Sequence, residues 1–461
     1  MAKLKKLSRK DCLELIFFLL IISYSFMIRV YKLSEIPSVI NGDETGSILH
    51  PLEIMFQKNG NFFNLTHDGS VSYTIYLFKY LSIKLFGIER SMLAVRLITA
   101  TLATASLIPF YLIIKSYVNK NIALLMAFAF SSNYWFLNFS RLSWINIDCL
   151  FPGLLLLLCT KKVLEKRSIK YYVLLGILSA IVLYNYMGGR IYAIATYTVL
   201  LIDTLKKSSF QKIIKLKSLV ISGLIALTIF SPQLFVALKK PTQYLLRPSS
   251  LYVFNQKNSY YNIPPSNKFQ IIKHQLVYAT KGLIFFDENV SSEGFENPRY
   301  VPPKSACINS IIKILFWFGL IAYFTKKGGS FLWLLVYLLN ILIFQLPSIY
   351  IPNWSRGIAI IPIIYFFASV GLQCIVQHFK KLSSVYYLPI TSIIFTLIIL
   401  GAISDTKKYF GWVKSQSFHN AQQPAIDIKD LEKWLSIQKT RIESGERTIF
   451  NHEWNKIYST R

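Results

Sequence analysis

Apolar runs alternate with polar connectors along almost the whole chain. They fall near residues 12–32, 93–114, 121–139, 143–160, 171–188, 190–205, 217–237, 308–325, 330–349, 356–378 and 385–403. Runs of roughly 18–20 apolar residues match the thickness of the bilayer's hydrocarbon core. In lipid such runs must be helices, because a lone strand would leave its backbone groups unpaired. The pattern predicts an all-α polytopic membrane protein of about eleven transmembrane helices, with the bundle over residues 1–403 and a short polar tail over 404–461. The stretch "YTIYLFKYLSIKLFGIER" from Tyr73 is short and interrupted by Lys79 and Lys84, so it reads as a helix lying on the membrane surface. In the tail, "PAIDIKDLEKWLSIQKTRIE" predicts an amphipathic helix, with Pro424 in its first turn and Ile426, Trp434, Leu435 and Ile437 on its apolar side.

Basic charge sorts the connectors into two sets. The N-terminal tail, "KSYVNK", "KKVLEKRSIK", "KKSSFQKIIKLK" and the lysine pairs at 326–327 and 380–381 fall on every second connector. The positive-inside rule places these in the cytoplasm. The N-terminus is then inside and the C-terminal tail outside, in a multi-pass protein of the cell membrane. The two long connectors, 33–92 and 238–307, are extracytoplasmic. Counting the Tyr73 stretch as a span would push "KKVLEKRSIK" to the outer face, against the rule. The start "MAKLKKLSRKDC" before "LELIFFLLIISYSFMI" has the charge and apolar parts of a signal peptide but no A-x-A site, so it reads as an uncleaved first span.

Composition changes this picture little. The chain has 461 residues and a net charge of +29. In a soluble protein that charge would suggest nucleic acid; here the lysines of cytoplasmic connectors account for it, and no basic patch is interleaved with stacking aromatics. Cys12, Cys149, Cys159, Cys307 and Cys374 are scattered, mostly inside apolar runs, and read as small packing residues. No internal repeat supports an inverted-repeat transporter.

Four arginines stand on the side where positive charge is disfavoured: Arg141 in "NFSRLSW", Arg190 in "YMGGRIY", Arg247 in "YLLRPSS" and Arg356 in "PNWSRGIAI". Guanidinium forks match phosphate oxygens and stay charged, so an outer cavity holding them suits a lipid phosphate. The structural alternative is that each reaches to the headgroups or pairs with an acid such as Asp148, seven residues after Arg141. The adjacent acids Asp43 and Glu44 in "INGDETG" face the same compartment, and His67 and Asp68 follow in "FNLTHDGS". A carboxylate beside an acceptor hydroxyl or amine can take its proton as that group attacks carbon. Two acids and a histidine are also compatible with a divalent metal, although the spacing fits no standard motif. The plain reading of "NGDE" is a turn with a helix start, where acids favour the dipole.

The order of these pieces resembles a known family. A first span and a D-E loop are followed by an amphipathic stretch ending "LFG" and by "RLITATLATASLIPFYLI". Then come "SSNYWFLNFSRLSW", "YNYMGGRIY", "FSPQLFVALKKPTQYLLR" and a late "SRGIAIIPIIYFFASVGL". This is similar to the bacterial branch of glycosyltransferase family 39, the protein mannosyltransferase-like group of GT-C membrane enzymes. The resemblance implies a GT-C helical bundle that moves a sugar from a polyprenyl-phosphate carrier to an acceptor on the extracytoplasmic side. It implies that Asp43 acts at the acceptor with Glu44 beside it, and that Arg141 matches the family's Ser-Arg position. Arg247 and Arg356 fall where basic residues approach the carrier phosphate. The chain departs from the family where many members carry a proline-rich motif and this one has "THDGSVSYTIY", and its tail is short.

Two other functions fit parts of the pattern. A transporter or flippase of lipid-linked saccharides would place ionisable residues near mid-membrane, whereas here they gather at one rim. A polymerase or ligase of surface glycans would use a longer lipid-linked donor, which sequence does not separate from a single sugar.

Overall fold

A computed structural model describes residues 8–56, 73–166, 168–206, 209–255, 266–293, 297–325, 331–382, 384–446 and 448. Helix α1 (Arg9–Val30) leads to a short strand β1 (Val39–Asn41) and helix α2 (Gly42–Phe56). Helices α3 (Leu77–Phe86), α4 (Ser91–Ala105), α5 (Leu107–Lys115), α6 (Lys120–Ser132) and α7 (Tyr134–Arg141) follow. Then come α8 (Leu150–Lys166), α9 (Ile169–Tyr184), α10 (Arg190–Leu205) and the long α11 (Ser209–Lys239). Short helices α12 (Pro241–Tyr244) and α13 (Leu246–Leu251) precede α14 (Lys268–Ala279) and α15 (Glu288–Glu293). The bundle closes with α16 (Ser310–Thr325), α17 (Leu332–Leu339), α18 (Trp354–Gly357), α19 (Ile361–Leu382) and α20 (Ser384–Trp412). The tail adds α21 (Gln416–Ala421), strand β2 (Ala425–Asp427) and α22 (Leu431–Glu443).

Each expected span has a helical counterpart, but not each is one straight helix. Among the described residues five helices are long and apolar enough to cross a membrane alone: Asp11–Val30, Ile88–Lys115, Gln211–Lys239, Trp354–Lys381 and Tyr387–Trp412. The run at 121–139 is broken: α6 and α7 meet at Asn133 with a bend of 57°. The Asn133 side chain accepts the Phe136 N–H at 3.0 Å and donates to the Cys307 carbonyl at 3.1 Å, so it ends one helix and caps the next. The apolar stretches of α1 and α20 are only 11% buried within the protein, as expected of helices whose outer face meets lipid. Their neighbours pack tightly: a methyl group at Gly319 of α16 would meet the Phe367 carbonyl of α19, and one at Gly371 would meet the Leu315 carbonyl. Lys120 pairs with Glu14 at 3.4 Å, so the start of α1 and the "KSYVNK" connector share one end of the bundle.

The Tyr73 stretch forms a short 3-10 turn and α3. Leu77, Phe78, Leu81 and Leu85 stay exposed, while Lys79 turns inward and is 1% exposed. The tail departs from its expected form in two ways. Helix α20 runs unbroken through residue 404, so the polar tail starts later than the composition suggests. Residues 425–427 form β2 and pair with β1 in antiparallel register (Val39↔Asp427, Asn41↔Ala425). Ladder hydrogen bonds therefore claim the backbone that was expected to start the helix at Pro424, and α22 begins at Leu431. A second apolar cluster joins the two ends of the chain, with Ile48, Leu49 and Leu52 of α2 packed with Ile426, Leu431, Trp434 and Leu435 of the tail.

Candidate active site

Asp43 owes its position to Asn41. The Asn41 Oδ1 accepts the N–H groups of Asp43 and Glu44, both at 3.1 Å, and the Trp144 indole N–H at 2.8 Å. This caps α2 and satisfies two of its open donors. Asp43 lies in the first turn, where its charge interacts favourably with the positive end of the helix dipole. It is exposed and lines a cavity of about 510 Å³.

Its neighbour Glu44 faces the other way. Glu44 is fully buried and receives Arg96 through Nε at 2.9 Å and Nη2 at 3.1 Å, with the Ser143 N–H at 2.9 Å. Arg96 also donates to the carbonyls of Leu33 and Pro37 at 3.1 and 3.0 Å. The pair thus ties the segment after α1 to α2 and α4, and Glu44 does not line the cavity. Helix geometry separates the two acids, because successive residues point about 100° apart.

The four arginines divide similarly. Arg247 and Arg356 line the cavity together with Asp43. Arg356 donates from Nη1 to Ser348 Oγ at 2.6 Å and the Ile349 carbonyl at 2.7 Å. The same 347–349 turn is bonded to the segment carrying Arg247, through Val253 N–H to the Pro347 carbonyl and Ile349 N–H to the Leu251 carbonyl, each 2.9 Å. The 347–349 turn therefore holds the Arg356 guanidinium directly and anchors the end of the segment that carries Arg247. Arg141 is fully buried elsewhere. Its guanidinium donates to four carbonyls, those of Ile28, Arg29, Tyr31 and Ile36, at 2.7–2.8 Å, and closes the end of α1. Arg190 is half-buried and donates to the Tyr244 hydroxyl at 2.6 Å, one turn before Arg247.

Asp148 is not the partner of Arg141. Helix α7 ends at Arg141, so the two do not share a helix face, and Asp148 instead meets Lys79 of α3 at 3.4 Å. Lys79 also donates to Ser47 Oγ and the Ser143 carbonyl, each at 3.2 Å. Burial pushes the Lys79 pKa down from its ordinary value, and Asp148 and Glu44 oppose that shift. The lysine that interrupts the surface stretch is thus an internal prop between α2, α3 and the turn before α8.

Several cavity residues carry no strong sequence signal. His50 lies seven residues after Asp43, on the same side of α2 two turns on, and that spacing is the signal that finds it. Its Nδ1 is 3.4 Å from Glu53 Oε2 and its ring sits 4.9 Å from that of Tyr76. Asn146, hydrogen-bonded to Ser355 at 2.7 Å, and Tyr186, Tyr252 and Arg299 complete the polar wall, while Leu251, Ile343 and Phe344 supply an apolar one. His67 and Asp68 lie outside the described residues. Among the described residues no three His, Cys, Asp or Glu side chains are grouped to hold a metal ion. All five cysteines are free.

The helical bundle is similar in fold to several solved structures, each of which shares little sequence with it. ArnT from Cupriavidus metallidurans in the apo state superposes with a TM-score of 0.55 at 10% identity, over 89% of this chain and 78% of that one. The same protein bound to undecaprenyl phosphate gives 0.52 at 10% identity, over 94% and 77%. The Archaeoglobus fulgidus oligosaccharyltransferase, solved with Zn and sulfate, gives 0.50 at 11% identity. It covers 87% of this chain, which spans only about half (53%) of that longer protein. Within the sequence, residues 72–235 match the family model described as dolichyl-phosphate-mannose-protein mannosyltransferase. No curated protein matches the sequence.

Proposed function

We propose that this protein transfers a sugar, hexosyl or pentosyl, from a polyprenyl-phosphate carrier to a hydroxyl or amine acceptor at the extracytoplasmic face of the cell membrane. The observation that carries the reading is the shared cavity. One exposed carboxylate, Asp43, and three arginines, Arg247, Arg299 and Arg356, line a single space with both polar and apolar walls. The fold shared with a protein solved bound to undecaprenyl phosphate supports the choice of donor.

The chemistry balances within that space. The acceptor oxygen or nitrogen attacks the anomeric carbon while its proton passes to Asp43. The bond from that carbon to the carrier phosphate breaks, and the phosphate leaves with the electron pair. Arg247 and Arg356 neutralise the charge that grows on it. Single displacement of this kind inverts the anomeric centre. Arg190 serves through Tyr244, next to the helix that carries Arg247, and Glu44 and Arg141 hold the frame.

The test is to give the purified protein a panel of labelled polyprenyl-phosphate sugars and nucleotide sugars. Loss of sugar from a lipid donor, with the nucleotide sugars untouched, is the expected result. Transfer from a nucleotide sugar, or from none of the lipid donors, contradicts the proposal.

A further inference from the structure

The C-terminal segment reaches two groups of the site from far along the chain. Gln422 is 1% exposed. Its Oε1 accepts from Asn41 Nδ2 at 2.7 Å, and its Nε2 donates to the Arg299 carbonyl at 3.0 Å. Arg299, a cavity residue, returns the contact: Nε donates to the Ala421 carbonyl at 3.1 Å and Nη2 to the Gln423 carbonyl at 3.0 Å. Beside this junction β2 pairs with β1, Ala425 opposite Asn41.

The chemistry of one amide makes the junction directional. The Asn41 Oδ1 serves three donors, the N–H groups of Asp43 and Glu44 and the Trp144 indole. A flipped amide would aim its NH2 at those N–H groups and lose all three bonds. Gln422 offers Asn41 an acceptor on the opposite side, and the Nε2 of Gln422 is fixed in turn by the Arg299 carbonyl. The tail therefore selects the Asn41 orientation that caps α2.

We propose that residues 421–427 form a positioning element of the transfer site, and that Gln422 acts through Asn41 on the first turn of α2 and so on Asp43. This rests on the reading of the cavity as a glycosyl-transfer site. Gln422→Met keeps the length and most of the volume of the side chain but removes both amide hydrogen bonds. It is expected to lower kcat about tenfold while the affinity for a polyprenyl-phosphate donor stays unchanged, and to speed hydrogen exchange of the Asp43 and Glu44 amides about tenfold, the worth of one hydrogen bond. Unchanged exchange in Gln422→Met, whatever its turnover, overturns the proposal, as does a loss confined to donor affinity. If the wild-type protein transfers no sugar from any lipid donor, the functional reading fails, while the exchange result still decides whether the tail positions α2. Should the variant not accumulate, exchange in the wild-type chain decides instead. Residues 41–47 and 420–427 are expected to open together; free exchange of the tail with α2 still protected overturns the proposal.

Discussion

Two adjacent carboxylates with opposite surroundings define the residue scale. Asp43 is exposed on the cavity and Glu44 is fully buried against Arg96. Removing one partner of a buried ion pair leaves an uncompensated charge and costs about 3–5 kcal/mol. Glu44→Gln is therefore expected to lower stability by about that amount in denaturant unfolding, and Asp43→Asn to leave it nearly unchanged. The arginines give a parallel contrast. Arg356→Ala is expected to weaken donor binding about ten- to a hundredfold, the worth of a hydrogen bond to a charged group. Arg141→Ala leaves four main-chain carbonyls without their donor and is expected to lower stability, with donor affinity unchanged in the protein that remains folded. Direct donor-binding isotherms beside unfolding curves separate the two outcomes. In the sequence Arg141 and Arg356 carry the same signature, a Ser-Arg pair at the rim of an apolar run. Their difference lies in the carbonyls and hydroxyl described above, more than a hundred residues away for Arg141 and seven or eight for Arg356, which local pattern does not record.

Elements were legible where hydrophobic length decides and obscure where a single polar side chain does. The long helices near 12–32, 217–237, 356–378 and 385–403 follow from apolar run length alone. The break between α6 and α7 does not, because Asn133 sits in a run without Pro or Gly, and its capping role depends on the Cys307 carbonyl brought in from a distant segment. Asn133→Ala is expected to cost about 1 kcal/mol, as for loss of an N-cap, in unfolding curves, with sugar transfer kept. A larger loss of transfer than of stability would mean that the bend itself shapes the site. Strand β2 was obscure for a similar reason. The amphipathic signal of residues 424–443 suits a helix, and only the pairing with β1 makes its first residues extended.

At the scale of the whole molecule, the connectors sorted by charge and the cavity define two ends. Helix α8 starts beside cavity residue Asn146 and ends at Lys166; at 1.5 Å per residue that is a separation of roughly 25 Å, close to a bilayer core. Single cysteines at Lys162 and at Glu288, on a background without native cysteines, are expected to label from the cytoplasm and from the outside respectively with an impermeant reagent. Labelling of both from one side contradicts the threading. The site is a product of this scale, since Asp43, Arg247 and Arg356 come from α2, α13 and α18, and the tail closes on the first of them. Sequence exposed each group as a charge at a membrane rim; only the fold brings them to one cavity.

Whether Asp43 takes the acceptor's proton is decided by single-turnover sugar transfer by Asp43→Asn in nanodiscs. Asn keeps the shape and turn-forming ability of the side chain but does not accept the proton. Transfer is expected to fall roughly 10²–10⁴-fold, the usual worth of a general base, with binding of the polyprenyl-phosphate donor unchanged. Transfer at the wild-type rate by Asp43→Asn would rule out Asp43 as the base and leave it a residue in the first turn of a well-capped helix.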